Sequence, residues 1–262
     1  MVPMKRKGIA FIESLVVIAV LAVIVGAVVL FAGRLRSNSQ ISQCQSNLKS
    51  LGQAMTNYAS DYKGKYPVSG GPNAFWAQHL GWKYEADLPP YKLPEYDGKP
   101  VAARVTSSWY LLVKYAEVVP SQFTCDSSSD TAFSYSPLYR HYRQLWDFGE
   151  DPYQHCSYSL QLPYGKYPAS SHDKPDKPIA ADKSPWFDKD GQILPSAPYN
   201  SRNHNGKGQN ILTGGLNVIF SKTSTAGIDS DEIYTYSHDN IPPAKRDAKT
   251  DSQDADDSFL VM

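Results

Sequence analysis

Cysteine is scarce: the 262 residues hold only Cys44, Cys125 and Cys156. Six histidines are present, but no His-x-x-x-His or Cys-x-x-Cys pair occurs, so the usual zinc-ligand spacings are missing. Surplus charge is missing too, because 26 basic and 26 acidic residues cancel. A neutral chain has no electrostatic footprint for a phosphate backbone, so no nucleic-acid partner is expected. There is no Gly-x-Ser-x-Gly elbow, and Gly206-Lys207-Gly208 does not continue into a phosphate-loop Gly-Lys-Ser/Thr. No internal repeat occurs. With no motif for hydrolytic, nucleotide or metal chemistry, the chain is expected not to be an enzyme and to need no cofactor. Long apolar runs are also absent, with one exception at the N-terminus.

That exception runs from Leu15 to Gly33 and is almost entirely Val, Ile, Leu and Ala. At 1.5 Å per residue, about 20 residues cross a hydrocarbon core of roughly 30 Å. A secretory signal has a shorter apolar region and a small-residue cleavage site after it. Here Arg34 and Arg36 follow instead, which suits a retained anchor. Lys5, Arg6 and Lys7 precede the run and outnumber those arginines. Positive-inside reasoning therefore puts the N-terminus in the cytoplasm and the bulk of the chain outside. Glu13 is the anomaly, a lone acid at the edge of the run. A carboxylate at a bilayer centre costs about 2.5–3.5 kcal/mol on insertion scales. If the chain were cut after Gly8, Ile9 would carry a new ammonium group. Glu13 paired with that group on a neighbouring chain, at ~4 Å and effective ε ~20, gains roughly 4 kcal/mol, enough to offset the burial.

The segment Lys7-Gly8-Ile9-Ala10-Phe11-Ile12-Glu13-Ser14-Leu15 resembles the prepilin processing site of type IV pilins and type II secretion pseudopilins. The resemblance implies cleavage between Gly8 and Ile9 by a prepilin peptidase and N-methylation of Ile9. It also implies a role for Glu13 in methylation and assembly. Position 9 is Ile where Phe is usual. The implied partners are that peptidase, other pilin or pseudopilin subunits and an inner-membrane assembly platform. The implied location is the bacterial inner membrane, single-pass, with the head in the periplasm until assembly.

The likeness continues. Ser42–Met55 and Tyr58–Tyr62, ending in Gly64-Lys65-Tyr66-Pro67, resemble the post-membrane helix of a large bacterial branch of pseudopilin-like proteins. Read physically, Cys44, Leu48, Leu51, Met55, Tyr58 and Tyr62 fall at steps of four and three and predict one buried helical stripe. Lys63, Gly64 and Pro67 are stop signals. The loop at Arg202–Leu212, with His204 in it, resembles the same branch, as do Ala181–Trp186 and Ala226–Thr235. His204 is expected to hydrogen-bond a turn or cap a neighbour. An odd cysteine count leaves one thiol free, and spacing alone does not choose the pair. The resemblance implies Cys44 with Cys125, because Phe123–Ser128 looks like that branch's Cys-Pro-Ser segment; Cys125 with Cys156 stays open.

Nineteen prolines, 17 glycines and 18 tyrosines describe a loop-rich, aromatic head. Little regular structure is expected through Pro89-Pro90 and Pro94. Trp109, Leu112, Val113 and Ala116 predict a short helix before Pro120. Alternation of Cys156, Tyr158, Leu160 and Leu162 predicts a strand, and Ile179–Asp182 a second. Apolar runs on either side of Gly214-Gly215 predict a hairpin over 209–220, and Glu232–Ser237 another strand. Asp229, Asp231 and Glu232 are weak calcium candidates, since oxygen-rich loops bind that ion. The tail after Ala244 carries five Asp in a polar stretch and is expected to be disordered.

The expected class is α+β, a long transmembrane-plus-amphipathic helix packed on a small antiparallel sheet, pilin-like. The expected organisation is a leader (1–8), a membrane and assembly helix (9–33), the outer half of the long helix (34–64), a head (65–243) and the tail (244–262). The expected function is a structural subunit of a type II secretion or type IV pilus-type filament. The alternative is an uncut, membrane-tethered protein whose aromatic head binds a surface ligand.

Overall fold

The computed structural model describes residues 7–70, 74–76, 102–134, 145–246 and 250–262; the side chains of 7–12, Phe75 and Ala102 are not among them. Most of the leader and the Pro89–Pro94 region therefore lie outside the described residues. Helix α1 is Lys7–Asp61, and the chain divides into two compact units, Met1–Gln40 and Ile41–Met262.

In the first unit, α1 is helical throughout its described length. The β-branched residues of this stretch disfavour isolated helices in water by only tenths of a kcal/mol each, whereas an apolar environment removes the competing solvent bonds to the backbone. Among the described residues, this is the one helix long and apolar enough to cross a membrane, and its apolar window buries nothing.

The second unit begins on the amphipathic half of α1. Cys44, Leu48, Leu51 and Met55 are fully buried and Tyr58 nearly so, the stripe that the spacing predicts. Tyr62, expected to continue the stripe, is 43 % exposed. It stacks on Tyr58 with ring centroids 4.0 Å apart, and the buried face ends one turn earlier because the helix unwinds at Asp61. The termination is a left-handed cap: Lys63 and Gly64 have positive φ, and the Gly64 N–H donates to the Ala59 carbonyl. Gly52 lets α1 approach the sheet closely, since a Cβ there would lie 2.9 Å from a Leu212 methyl.

That sheet has five antiparallel strands: β3 (Tyr158–Gln161), β4 (Pro178–Asp182), β5 (Gln209–Thr213), β6 (Val218–Ser221) and β7 (Leu260–Val261), in the order β6-β5-β4-β3-β7. The β5–β6 hairpin turns at Gly214-Gly215, where Leu216 takes positive φ. A separate parallel pair joins β1 (Phe75–Trp76) to β2 (Ala102–Ala103). Helix α2 (Val105–Tyr115) is buried over nearly its whole length and centres on Trp109, whose indole N–H donates to the Tyr158 carbonyl. One core joins α1, α2, β3 and the chain's last residues. The fold is therefore α+β and pilin-like in architecture, a long N-terminal apolar helix whose second half lies on an antiparallel sheet.

Two further expectations are corrected. The tail is not disordered over its described part, 250–262. Phe259, Leu260, Val261 and Met262 are fully buried, β7 completes the sheet beside β3, and the Trp76 indole donates to the Met262 carbonyl. Its acids are used locally: one Asp254 oxygen accepts from the N–H groups of Asp256 and Asp257. The segment Glu232–Ser237 is not a strand. It is a succession of turns with isolated bridges Thr225–Glu232 and Tyr236–Ile241, and Ser237 has positive φ. Ile233 and Tyr234 are buried all the same, the Tyr234 hydroxyl donating to the Asp182 carbonyl.

Candidate functional site

Gly8 and Ile9 lie within the helical span of α1, and their side-chain surroundings are outside the described residues. Glu13 is exposed on the same helix. Beyond it, Leu15, Val16, Val17, Ile18, Val20, Leu21, Val23, Ile24, Val25, Val28, Val29, Leu30 and Phe31 are all more than half exposed. At about 1.5–3 kcal/mol for fully burying each Val, Leu, Ile or Phe, this surface is far too costly to leave in water. It needs a lipid or helical environment.

The head holds a second constellation around His204. The disulfide Cys44–Cys125 ties α1 to the loop after α2, while Cys156 is a free, buried thiol. Burial pushes the Cys156 thiol up to about 12. His204, in the loop before β5, has φ 54° and ψ 28°, an uncommon left-handed conformation for a non-glycine residue. Its surroundings hold it there. The backbone N–H donates to Ser127 Oγ at 3.1 Å, Nδ1 lies 2.8 Å from the same hydroxyl, and Nε2 is 3.2 Å from Asp182 Oδ2 and 3.0 Å from Asn210 Nδ2. Nε2 is also 3.6 Å from Cys125 Sγ. Asp182, at the end of β4, accepts from the Asn210 backbone N–H and the Asn203 side chain. The histidine thus joins the β4 end, the start of β5 and the disulfide loop, more than the turn contact expected of it. His-Gly loop chemistry alone does not reveal this, because Ser127, Asp182 and Asn210 come from three separate stretches.

Asp229, Asp231 and Glu232 do not converge. Asp229 is exposed, Asp231 accepts from the Ser258 N–H, and the three form no common ligand set among the described residues. Burial pushes Asp231 up to about 6, with Asp257 adding repulsion, and burial also raises Glu232. Asp231 thereby joins the turn segment to the tail, whereas Glu232 is held within the turn segment by Ser224 and Thr235.

An aromatic cleft of about 790 Å³ lies where α1 ends, lined by Tyr58, Tyr62, Tyr66, Tyr115, Tyr164 and Lys166 among others. It has the size of a small-molecule site. Its floor is rigid, since the Tyr164 hydroxyl donates to the Arg104 carbonyl and pairs with Ser108.

Residues 40–154 match a family model described as "Protein of unknown function (DUF1559)". The match covers the outer half of α1, both half-cystines and α2, and ends before the five-stranded sheet. No curated protein and no solved structure matches the chain.

Proposed function

We propose that the chain is a pilin-like subunit of a type II secretion or type IV pilus-type filament. One observation carries the reading: a prepilin-type segment, Lys7–Leu15, opens a helix whose apolar side chains from Leu15 to Phe31 are all solvent-facing in the single chain. Before assembly, this surface lies in the inner membrane with the N-terminus in the cytoplasm and the head in the periplasm. A prepilin peptidase cuts between Gly8 and Ile9 and methylates Ile9. An inner-membrane assembly platform then lifts the chain out of the lipid. Glu13 pairs with the Ile9 ammonium of a neighbouring subunit and fixes the stagger, while Val16–Phe31 buries against other subunits' helices. The role is structural, not enzymatic.

The test separates the two steps. A bulky residue at Gly8 should block cleavage, while Glu13→Ala should be cleaved yet fail to enter filaments. Normal incorporation of the Glu13 variant would refute the pairing. A second reading has one observation in its favour. The tyrosine-lined cleft suits a neutral ligand with flat faces, such as a glycan, as an uncut, tethered surface-binding protein would need. Binding of surface glycans that is lost in Tyr115→Ala, with Gly8–Ile9 intact in cells, would establish that alternative.

A further inference from the structure

The aromatic cleft at the end of α1 does not stand alone. A second cavity of about 460 Å³ adjoins it, lined by Asn57, Asp61 and Ala116 together with the same Tyr58, Tyr62 and Tyr115. The three tyrosines are thus the wall that the two cavities share. Tyr58 and Tyr62 stack within 7° of parallel, and the Tyr115 ring lies 6.5 Å from Tyr58, tilted by 56°. Tyr62 and Tyr115 are 43 % and 48 % exposed, so part of each ring faces solvent. Each cavity is of a size that takes a small molecule. The pair therefore suits a chain of linked rings better than a single one.

Charge is divided unevenly between them. Among the described residues, Lys65 and Lys166 are the charged groups lining the larger cavity, and no acid lines it. Neither lysine forms an ion pair among the described residues. Their backbones are fixed: Lys65 bridges to Ser170, and the Lys166 N–H donates to Asp251 Oδ2 at 2.7 Å. Asp251 Oδ1 accepts from the Ser252 N–H, so this neighbouring acid is used on backbone groups. The Lys166 ammonium lies over the Tyr167 ring, 5.0 Å from its centroid. Two ammonium groups beside low-dielectric aromatic walls attract an anion. The smaller cavity makes the opposite demand. The Asp61 carboxylate only accepts hydrogen bonds, and the Asn57 amide both donates and accepts, so this end calls for hydroxyl groups.

We propose that the two cavities form one groove for an acidic oligosaccharide. Pyranose faces lie on Tyr58, Tyr62 and Tyr115, a hexuronate carboxylate meets Lys65 and Lys166, and hydroxyls of the next ring bond Asn57 and Asp61. The inference rests on the reading of the cleft as a ligand site, and it holds whether or not the N-terminus is cut. Tyrosine faces alone suit a neutral sugar; the two lysines add the demand for a carboxylate. A flat aromatic acid would satisfy the lysines but brings Asp61 no donor. A run of acidic residues in a peptide brings the tyrosines no ring face.

The experiment titrates the full chain in detergent by calorimetry. The probes are 1,4-linked tetramers of galacturonate, mannuronate and guluronate, the methyl ester of each, and a tetraglutamate peptide. At least one uronate tetramer should bind, one per chain, with its uncharged ester about 10-fold weaker, as the loss of two exposed charge contacts implies. Raising the salt should weaken the acid and leave the ester unaffected. The double variant Lys65→Gln/Lys166→Gln should bring the acid down to the affinity of the ester; both side chains are exposed, so the fold is kept. Tyr62→Ala should lose both sugars, and Tyr62→Phe should keep them. Equal binding of acid and ester overturns the acidic assignment and leaves a neutral-glycan cleft standing. No binding by any sugar overturns that reading of the cleft as well. Tetraglutamate binding as tightly as the best uronate overturns the assignment to a sugar.

Discussion

Cutting the Cys44–Cys125 tether is expected to cost the head a large part of its stability. The bond joins residues 81 apart in sequence, buried at the contact between α1 and the loop after α2. For a closed loop of this length, the chain-entropy model gives a loss on the order of 4–5 kcal/mol when the cross-link is removed. Native domains are stable by about 5–15 kcal/mol in total, so the loss is comparable with the whole margin. The perturbation is Cys125→Ser. Urea unfolding of the full chain in detergent, followed by tryptophan fluorescence, measures it. Trp109 sits in the core and its indole is bonded to Tyr158, so its emission reports head unfolding. The midpoint should fall sharply with the urea slope little changed. Reductant should reproduce the loss in wild type and add nothing to the variant. A loss below about 1 kcal/mol would refute the reasoning, because α1 would then be held by packing alone.

Further outcomes follow from individual residues. Phe259→Ala should cost about 3–5 kcal/mol, as for a buried aromatic in a close-packed core, whereas Tyr199→Ala, at 85 % exposure, should cost almost nothing in the same urea assay. Asp231 has a folded pKa of about 6, above its unfolded value near 4, so the folded chain keeps a proton that the unfolded chain releases. Stability should therefore fall as pH rises from about 4 to 6, with the penalty complete above that window. Asp231→Asn should flatten this slope and be more stable at pH 7.5 by about 1–2 kcal/mol; an unchanged pH profile of the midpoint would refute it. Cys156, whose thiol is buried and raised to about 12, should resist iodoacetamide in the folded chain at pH 8 and react only on unfolding, as followed by peptide mass.

Much of the architecture was legible because it rests on local periodicity. The stripe Cys44–Tyr58, the α2 spacing around Trp109 and the Gly214-Gly215 turn each announce themselves within a dozen residues. Tyr62 was misplaced because spacing does not show where a helix leaves its partner. The tail was misread for a different reason. Its composition is that of a disordered segment, but its acids accept backbone N–H groups in turns, and its last apolar residues pair with β3 about 100 positions away. The Gln161 side chain bonds Ser252 and the backbone of Phe259, a contact no window reveals. The same limit hid the surroundings of His204. The histidine was visible as an oddity in a glycine-rich loop. Its partners Ser127, Asp182 and Asn210 become neighbours only when β4, β5 and the disulfide loop assemble.

The central claim is that the N-terminal helix is processed and then assembled, and the form of the mature N-terminus tests it most directly. Intact-mass and N-terminal peptide mass spectrometry on the protein from its native membrane should find a chain beginning at N-methylated Ile9. A chain beginning at Met1, from cells with an active prepilin peptidase, would contradict the account and move the function to the aromatic cleft of the head.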